Sequence, residues 1–423
     1  MSRSKSKSSG LRPVSGNVEE LEQKIKEHRK KVRLTLIIIA AAAVAFFVVL
    51  RLILAFMTYD DYKVVSSVER SDSAATSVCE FADGILKYSN DGISYVTLSG
   101  DLVWNQTFEM ENPRVDICQN YVVVYDEGET QLYILDDTEV KGSLNSSNAI
   151  MQAHVAKQGN IAVLTEDGSA CDIQMYDETG TAIAKGKVHI ENSGYPMDIA
   201  LSDDGIKLAV AMLDVTSGSI KTSIGFYNFG SVGQNEIDNI VGTYSYSGTM
   251  IPRIEFVTND KLFAFGDNLL VVFEGTQKPE ETAQISVSSE MKSVFYNSEY
   301  MGIIVDNDNY FEEGTTQSTE GDASAETSEW SERENGRYRM ILYNSKGGEE
   351  LSRAFDCDYD SVSFLSNGEI LLLGDDESDI YTASGKKKFS YDFEEKPDAI
   401  IPGKTSVSYT FVFDDEIDRV RLK

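Results

Sequence analysis

Apolar residues follow two different patterns along this chain, and the first is a single continuous run. Residues 34–57 are apolar except for Thr35 and Arg51. At 1.5 Å per residue, a helix of about this length crosses a bilayer core of about 30 Å. Arg51 lies within two turns of the far end, where its stem can stay in lipid while the guanidinium reaches the headgroups. The run therefore predicts one transmembrane helix.

The second pattern is a repeat that fills the rest of the chain. A short apolar run, a turn rich in Gly, Asn or Asp and a second apolar run recur, and third and fourth runs follow. Equivalent positions in the first runs are separated by 37, 37, 46, 55, 39, 69 and 37 residues. Four short strands per unit of roughly 40 residues are typical of β-propeller blades. The equivalent positions, predicted to lie on inner strands, are Phe81, Cys118, Val155, Leu201, Phe256, Phe295, Phe364 and Ile401.

The two ends of the repeat region indicate how the ring closes. The last unit, after Asp398, holds only three strand-like runs, and residues 61–70 supply a lone strand before the first unit. Pairing these segments completes an eighth blade. We therefore predict an all-β propeller of eight blades with four antiparallel strands each. Seven blades is the alternative, if the unit at Ile254 or the unit at Val294 is not a blade.

The segments YVTLSGDLVW (95–104) and IQMYDETGTAIA (173–184) resemble the repeats of PQQ-like, quinoprotein-type eight-bladed propellers. The whole layout resembles an uncharacterised family of single-pass membrane proteins from Gram-positive, clostridial-type bacteria. This resemblance implies a fold and a location, but no activity. The tryptophan expected early in each fourth strand occurs once, as Trp104, and nothing matches a PQQ site, so no cofactor is expected.

Charge predicts the orientation of the membrane helix. Residues 1–57 contain 11 Lys and Arg and four Glu. Of the totals of 38 basic and 69 acidic residues, 27 basic and 65 acidic residues therefore belong to the rest of the chain. Basic residues clustered directly before the apolar run predict a cytoplasmic N-terminus and an extracytoplasmic C-terminus. A cleaved signal peptide is the alternative, but its apolar core is shorter and ends at a small-residue cleavage site.

These observations divide the chain into four parts. Residues 1–16 are predicted to be a disordered basic tail, residues 17–33 a juxtamembrane helix, residues 34–57 the transmembrane helix and residues 58–423 the propeller. An acidic insertion at 307–337 within the propeller is predicted to be disordered. The acidity of the propeller excludes nucleic acid as a partner and argues against adhesion to anionic wall polymers.

Few residues suggest chemistry. The three histidines, His28, His154 and His189, fall in separate segments without metal-ligand spacing, and no nucleophile-elbow, zinc-protease or dinucleotide-binding motif occurs. We therefore predict no catalytic, metal-binding or cofactor-binding residues. The four cysteines are expected to be free, buried thiols, although their predicted location would permit disulfides.

Candidate ligand-binding residues lie where several connections are expected to share one face of the propeller. Arg114 and Arg253 each follow a proline directly before an inner strand, and Trp330 lies in the acidic insertion. Two basic groups near one mouth of the channel suggest an anionic ligand. Ordinary ion pairing of the two arginines, and a merely tethering role for the insertion, are the alternatives.

Two functions from different classes are consistent with the sequence. The first is a non-enzymatic, membrane-tethered scaffold or sensor that binds a surface protein, glycan or peptide. The second is an extracytoplasmic enzyme, a lyase, hydrolase or dehydrogenase, whose site lies in the central channel. Fold alone does not distinguish them, because propellers host many chemistries.

Overall fold

The computed structural model describes residues 18–70, 76–168, 170–216, 218–308 and 336–423. The chain divides into two compact units, Met1–Thr58 and Tyr59–Lys423. In the first unit, helix α1 (Val18–Phe56) continues without a break from the predicted juxtamembrane segment into the apolar run. Among the residues described, none of the helices combines the length and apolar character needed to span a bilayer. The predicted disordered tail, residues 1–16, lies outside the described residues.

The second unit is built from strands because its sequence alternates short apolar runs with turn residues, each run supplying one strand. One strand, β1 (Tyr62–Glu69), precedes the first complete blade. Blades 1 and 2 consist of β2 (Ser77–Phe81), β3 (Gly84–Ser89), β4 (Gly92–Thr97) and β5 (Leu102–Thr107), then β6 (Pro113–Cys118), β7 (Tyr121–Asp126), β8 (Gln131–Asp136) and β9 (Val140–Asn145). Blades 3 and 4 consist of β10 (Ile150–Val155), β11 (Ile161–Asp167), β12 (Ala170–Tyr176) and β13 (Ala182–His189), then β14 (Tyr195–Leu201), β15 (Lys207–Asp214), β16 (Lys221–Asn228) and β17 (Ile240–Ser247).

The remaining blades follow the same order. Blades 5 and 6 consist of β18 (Arg253–Thr258), β19 (Lys261–Phe265), β20 (Leu269–Glu274) and β21 (Glu280–Ser286), then β22 (Met291–Tyr296), β23 (Tyr300–Asp306), β24 (Tyr338–Asn344) and β25 (Glu349–Phe355). Blade 7 consists of β26 (Ser361–Phe364), β27 (Ile370–Leu373), β28 (Glu377–Tyr381) and β29 (Lys387–Asp392). Blade 8 contains β30 (Ala399–Pro402), β31 (Ser408–Val412) and β32 (Glu416–Leu422). A short helix α2 (Ile190–Ser193) joins blades 3 and 4, and two 3₁₀ turns, Gly233–Asn235 and Ile237–Asn239, precede β17.

Eight antiparallel four-stranded sheets form the described part of this unit, which confirms eight blades rather than seven. All eight positions predicted to lie on inner strands do so, including those of the less regular units in β18 and β22. Each pair of neighbouring blades encloses one buried apolar cluster. The core is therefore a ring of eight contacts between sheets, in which each sheet buries both faces against its neighbours.

The first strand of the unit completes the last blade. Blade 8 has the strand order β1-β32-β31-β30, and β1 pairs antiparallel with β32 from Tyr62 opposite Leu422 to Glu69 opposite Glu416. The Arg70 guanidinium donates hydrogen bonds to Asp398 at 2.5 Å and to the Phe413 carbonyl at 2.7 Å. The predicted closing strand at 61–70 is thus confirmed.

The ends of the strands define two faces. We call hairpin face the one that carries the turns between first and second strands and between third and fourth strands, such as 82–83 and 403–407. We call connection face the one that carries the links between blades and between second and third strands, including Pro113 and Pro252. All four cysteines are free: Cys171 and Cys357 are buried, and Cys79 and Cys118 are half-buried.

Candidate functional site

Inner strands of five consecutive blades carry a network of polar side chains. It begins with His154 in β10 and Asp116 in β6, whose Nδ1 and Oδ1 atoms lie 3.2 Å apart. The other oxygen of Asp116 accepts a hydrogen bond from the Val155 backbone N–H at 2.7 Å. Burial disfavours a charge on His154, but the Asp116 carboxylate outweighs it, with help from Glu255 and Asp198, and raises the pKa of His154 to about 9. His154 is therefore an imidazolium at neutral pH.

The same device, a side chain that accepts a hydrogen bond from the next inner strand, recurs in the following blades. Gln152 in β10 accepts from the Ile199 N–H at 3.0 Å and donates to the Met197 carbonyl at 3.1 Å. Asp198 in β14 accepts from the Ile254 N–H at 2.7 Å. Because Asp198 is only 2 % exposed, burial raises the pKa of its carboxyl, and the His154 charge opposes that rise. Inner strands of neighbouring blades have no ladder between them, so these side chains supply the missing links.

The network ends in a triangle of polar groups between blades 5 and 6. The Arg253 guanidinium donates to the Glu255 carboxylate at 2.8 Å and to the Tyr296 hydroxyl at 2.9 Å, and that hydroxyl donates to Glu255 at 2.7 Å. Burial raises the pKa of Glu255, against the charges of His154 and Arg253. Burial and the Glu255 charge together raise the pKa of Tyr296 above its usual range.

We call channel network the set of inner-strand side chains linked in this way, namely Asp116, Gln152, His154, Asp198, Arg253, Glu255 and Tyr296. Each of the three carboxylates accepts a hydrogen bond from a neighbouring inner strand, through a backbone N–H for Asp116 and Asp198 and through the Tyr296 hydroxyl for Glu255. In the described part of the chain, no three His, Cys, Asp or Glu side chains are grouped so as to hold a metal ion. The network therefore joins the inner strands of blades 2 to 6.

The structure places the predicted ligand-binding arginines at the starts of β6 and β18, both on the connection face. Arg114 is 63 % exposed in its side chain, and its Nε donates to Glu127 at 2.8 Å. Arg253 belongs to the triangle with Glu255 and Tyr296. Blades 3 and 4 separate the two strands, so the arginines belong to different local pairs. Trp330 lies outside the described residues, as does most of the insertion at 307–337, and its role stays a prediction.

Open space occurs on the opposite, hairpin face. A channel-mouth pocket of about 530 Å³ is lined by aromatic and by acidic or amide side chains. Its lining comprises Glu80, Phe81, Ala82, Asp83, Tyr95, Ile117, Gln119, Asn120, Asp137, Phe364 and Ser366. Ala82 and Gln119 hold left-handed φ angles of 47° and 54° in equivalent turns of blades 1 and 2. Such angles are unusual for residues with a side chain, and they shape the pocket wall.

A second cavity, the seam groove, lies between blades 8 and 1 and has a volume of about 800 Å³. It meets the channel-mouth pocket at Glu80, Ala82 and Asp83, which line both. The basic side chains Lys404, Arg419 and Arg421 line it on the side of blade 8. Sequence reasoning missed both cavities, because each forms between residues that are distant in the chain.

A family model matches residues 56–422 of the chain and is described as a family of unknown function, DUF5711. This chain belongs to the DUF5711 family. None of the curated proteins matches it. The family membership agrees with the resemblance to an uncharacterised family, whereas the clostridial-type source and the membrane anchor stay predictions.

Three solved structures similar to this DUF5711 protein share 9 to 12% sequence identity with it. Sqt1 from Chaetomium thermophilum matches with a TM-score of 0.50 at 10% identity, over 86% of this chain and 99% of that one. BamB from Moraxella catarrhalis gives a TM-score of 0.48 at 12% identity, over 86% and 98% of the two chains. Apo AztD from Citrobacter koseri gives 0.48 at 9% identity, over 76% and 87%. The Sqt1 match shows a shared fold alone.

Proposed function

We propose that this DUF5711 protein is a membrane-tethered, extracytoplasmic binding propeller that recruits a partner through its hairpin face without performing a reaction. Its partner would be a protein, glycan or peptide at the cell surface. The observation that carries the proposal is that the polar groups of the channel are bonded to one another, whereas the hairpin face has open cavities. Acid and base groups in the channel are engaged in joining blades. Two cavities lie side by side on the hairpin face, and each is larger than the pocket of about 440 Å³ on the connection face.

The tether follows from the sequence of α1. Residues 34–57, which α1 covers up to Phe56, are apolar apart from Thr35 and Arg51, and basic residues precede them. We propose that this segment is an uncleaved signal anchor with the N-terminus in the cytoplasm. A single-pass anchor of this kind would hold the propeller at the outer surface of the cell membrane.

Location is tested by labelling whole cells with a membrane-impermeant maleimide. A Ser324→Cys variant should be labelled, whereas a Ser9→Cys variant should react only after the cells are opened. The four native thiols are half-buried or buried, which keeps their background low. Labelling of Ser9→Cys in intact cells, or protection of Ser324→Cys, would contradict the proposed orientation.

Binding is tested with photo-crosslinking residues at one position on each face. A probe at Asp83 lies in the channel-mouth pocket, and a probe at Glu127 lies on the connection face beside Arg114. We expect a discrete adduct in cells from position 83 and none from position 127. Adducts from position 127 alone, or from neither position, would contradict binding through the hairpin face.

An enzyme with its site in the central channel is the second candidate. The observation that favours it is that Asp198 and Glu255 both have raised pKa values and both interact with the same imidazolium, His154. Perturbed acids around one cation are common in active sites. If the channel is catalytic, Glu255→Gln and Asp198→Asn abolish turnover of a substrate class found by screening, while crosslinking at position 83 is unchanged.

A further inference from the structure

The contact between blades 8 and 1 differs from the other seven contacts between blades. Its buried apolar cluster contains five residues, Ile85, Val96, Ile401, Val412 and Ile417. The other clusters contain seven to fourteen buried residues each. These two blades therefore pack over only part of their facing surfaces, and the seam groove occupies the rest.

The position of one turn explains why the groove is open. In blade 1, the turn between β4 and β5 rests against blade 8 at Gly100, where an added Cβ would meet Val68 Cγ1 at 2.8 Å. Val68 pairs in the sheet with Ile417, which belongs to the apolar cluster. Beyond that level, towards the hairpin face, the strands of blade 8 continue without a facing strand of blade 1. The rows that contain Arg419 and Arg421 lie in this uncovered part.

The uncovered surface is basic within an acidic domain. Arg419 lies between Ser66 and Thr410 in the sheet, and Arg421 lies between Lys63 and Ser408. Because they are two residues apart on one strand, both arginines point to the same side. Both are exposed, and within the described residues neither they nor Lys404 lie within ion-pair distance of a carboxylate.

Elsewhere in the propeller, many basic side chains are paired. Lys141 lies 2.8 Å from Asp136, Lys187 lies 2.7 Å from Asp167, and Lys278 lies 2.6 Å from Glu236. Residues 58–423 contain 65 of the 69 acidic residues of the chain and 27 of its 38 basic ones. An unpaired cluster of three cations in this setting points to an acidic partner outside the described residues.

The shape and lining of the groove indicate the form of that partner. It extends from Glu80 and Asp83 near the channel mouth to Val65 on the outer strand. Crossing four strands spaced about 4.8 Å apart corresponds to about 14 Å, or roughly four residues of extended peptide. Leu98 adds apolar surface, and Thr97 and Ser99 add hydrogen-bonding groups. Because acidic residues line the inner end, an acidic ligand would place its carboxylates towards the outer strands.

We infer that the seam groove is a docking site for an acidic, partly apolar peptide segment of a partner protein, bound in extended form between blades 8 and 1. Alternate side chains of an extended peptide point to opposite sides, so acidic residues can face Arg419 and Arg421 while apolar residues face Leu98. This inference rests on the proposed function, because it names the class of partner that the hairpin face recruits.

The test measures fluorescence anisotropy of a labelled octapeptide of alternating Glu and Val, with the full chain in a non-ionic detergent. Saturable binding that weakens as salt rises is expected, and a Lys-Val octapeptide should not bind. The Arg419→Ser/Arg421→Ser double variant should weaken binding by at least about tenfold, since each lost charged hydrogen bond accounts for a factor of that order. Lys157→Ser/Lys346→Ser removes two exposed positive charges on the same face outside the groove and should change the affinity less than about twofold.

Two further arms distinguish the peptide from other anionic ligands. Tetragalacturonate and phosphatidylglycerol vesicles should compete weakly or not at all. Preferential binding of either, equal binding by the arginine double variant, or no peptide binding by the native chain would overturn the inference. If the peptide does not bind but position 83 still yields an adduct in cells, the inference is wrong and the proposed function stands. Failure of both measurements contradicts both.

Discussion

Replacing Arg70 by methionine tests how much the closing strand contributes to the stability of the propeller. The Arg70 side chain is 1% exposed and its ion-pair partner, Asp398, is 32% exposed. The change keeps a long apolar stem but removes a charged hydrogen bond to Asp398 and another to the Phe413 carbonyl. Each such bond contributes about 1.5–3 kcal/mol, and partial hydration of Asp398 reduces the loss, so we expect destabilisation of about 3 kcal/mol.

Thermal unfolding of the full chain, followed by tryptophan fluorescence, measures this effect. Trp104, in blade 1 beside the closing blade, is 9% exposed and becomes hydrated on unfolding. With an unfolding entropy of about 2.1 cal/mol/K per residue, a loss of about 3 kcal/mol lowers the Tm of the second unit by roughly 4 °C. Gel filtration before heating establishes that the variant is folded and monodisperse.

Lys396→Met provides the matched control. Lys396 pairs with Asp360 and Asp375 but is 34% exposed, so the change should cost less than about 1 kcal/mol and shift the Tm by about 1 °C or less. Equal shifts for the two variants would refute the reasoning, because they would show that burial of the closing ion pair makes no difference.

Three further predictions concern the channel and the thiols. The pKa of His154 is about 9 in the folded protein and near 6.5 when unfolded, so its contribution to stability is complete below about pH 6.5 and is lost as the pH rises through about 9. Urea unfolding of His154→Gln should lack this loss. Identical pH profiles of stability for the variant and the native chain would contradict the prediction. Asp198→Ala should lower the free energy of unfolding by about 1–3 kcal/mol, because the Ile254 N–H loses its acceptor. Asp198→Asn keeps an acceptor oxygen and should lower it less. Equal losses for the two variants in urea unfolding would argue against a contribution from that hydrogen bond. Burial raises the pKa of Cys118 to about 12 and also raises the pKa values of the other three thiols. Iodoacetamide at pH 8 should therefore modify the cysteines of the folded protein at least about tenfold more slowly than those of the protein unfolded in urea, as mass spectrometry would detect. Similar rates in the two states would contradict the burial argument.

The sequence was sufficient to predict the blades because a propeller repeats one local pattern. Turn residues and alternating apolar runs identify each hairpin from neighbouring residues alone, and so the inner strands at Phe81 and Phe364 were predicted correctly. Closure was predictable for a different reason: the last unit lacked one strand and residues 61–70 supplied it. Neither inference required knowledge of how one blade packs on the next.

The channel network was not predictable because bulges interrupt the alternation on which such predictions depend. The register shifts between Ile150 and Gln152 in β10 and between Pro196 and Asp198 in β14. A shift of one residue exchanges the two faces of a strand. The pair of His154 with Asp116, 38 positions earlier, was missed for another reason: it joins the inner strands of two blades, and sequence reasoning treated each strand by itself.

Closure by β1 has a consequence for how the chain reaches its native state. The first strand of the propeller unit pairs with the last, so the ring cannot close until residues 416–422 are available. If the chain crosses a membrane N-terminal part first, β1 has an unpaired edge while seven blades form behind it. Bringing together segments so far apart in sequence is slow, since the entropy of loop closure is lost before the contacts form. If residues 34–57 anchor the chain as proposed, β1 follows them closely in sequence, so its unpaired edge would stay near the membrane until residues 416–422 emerge.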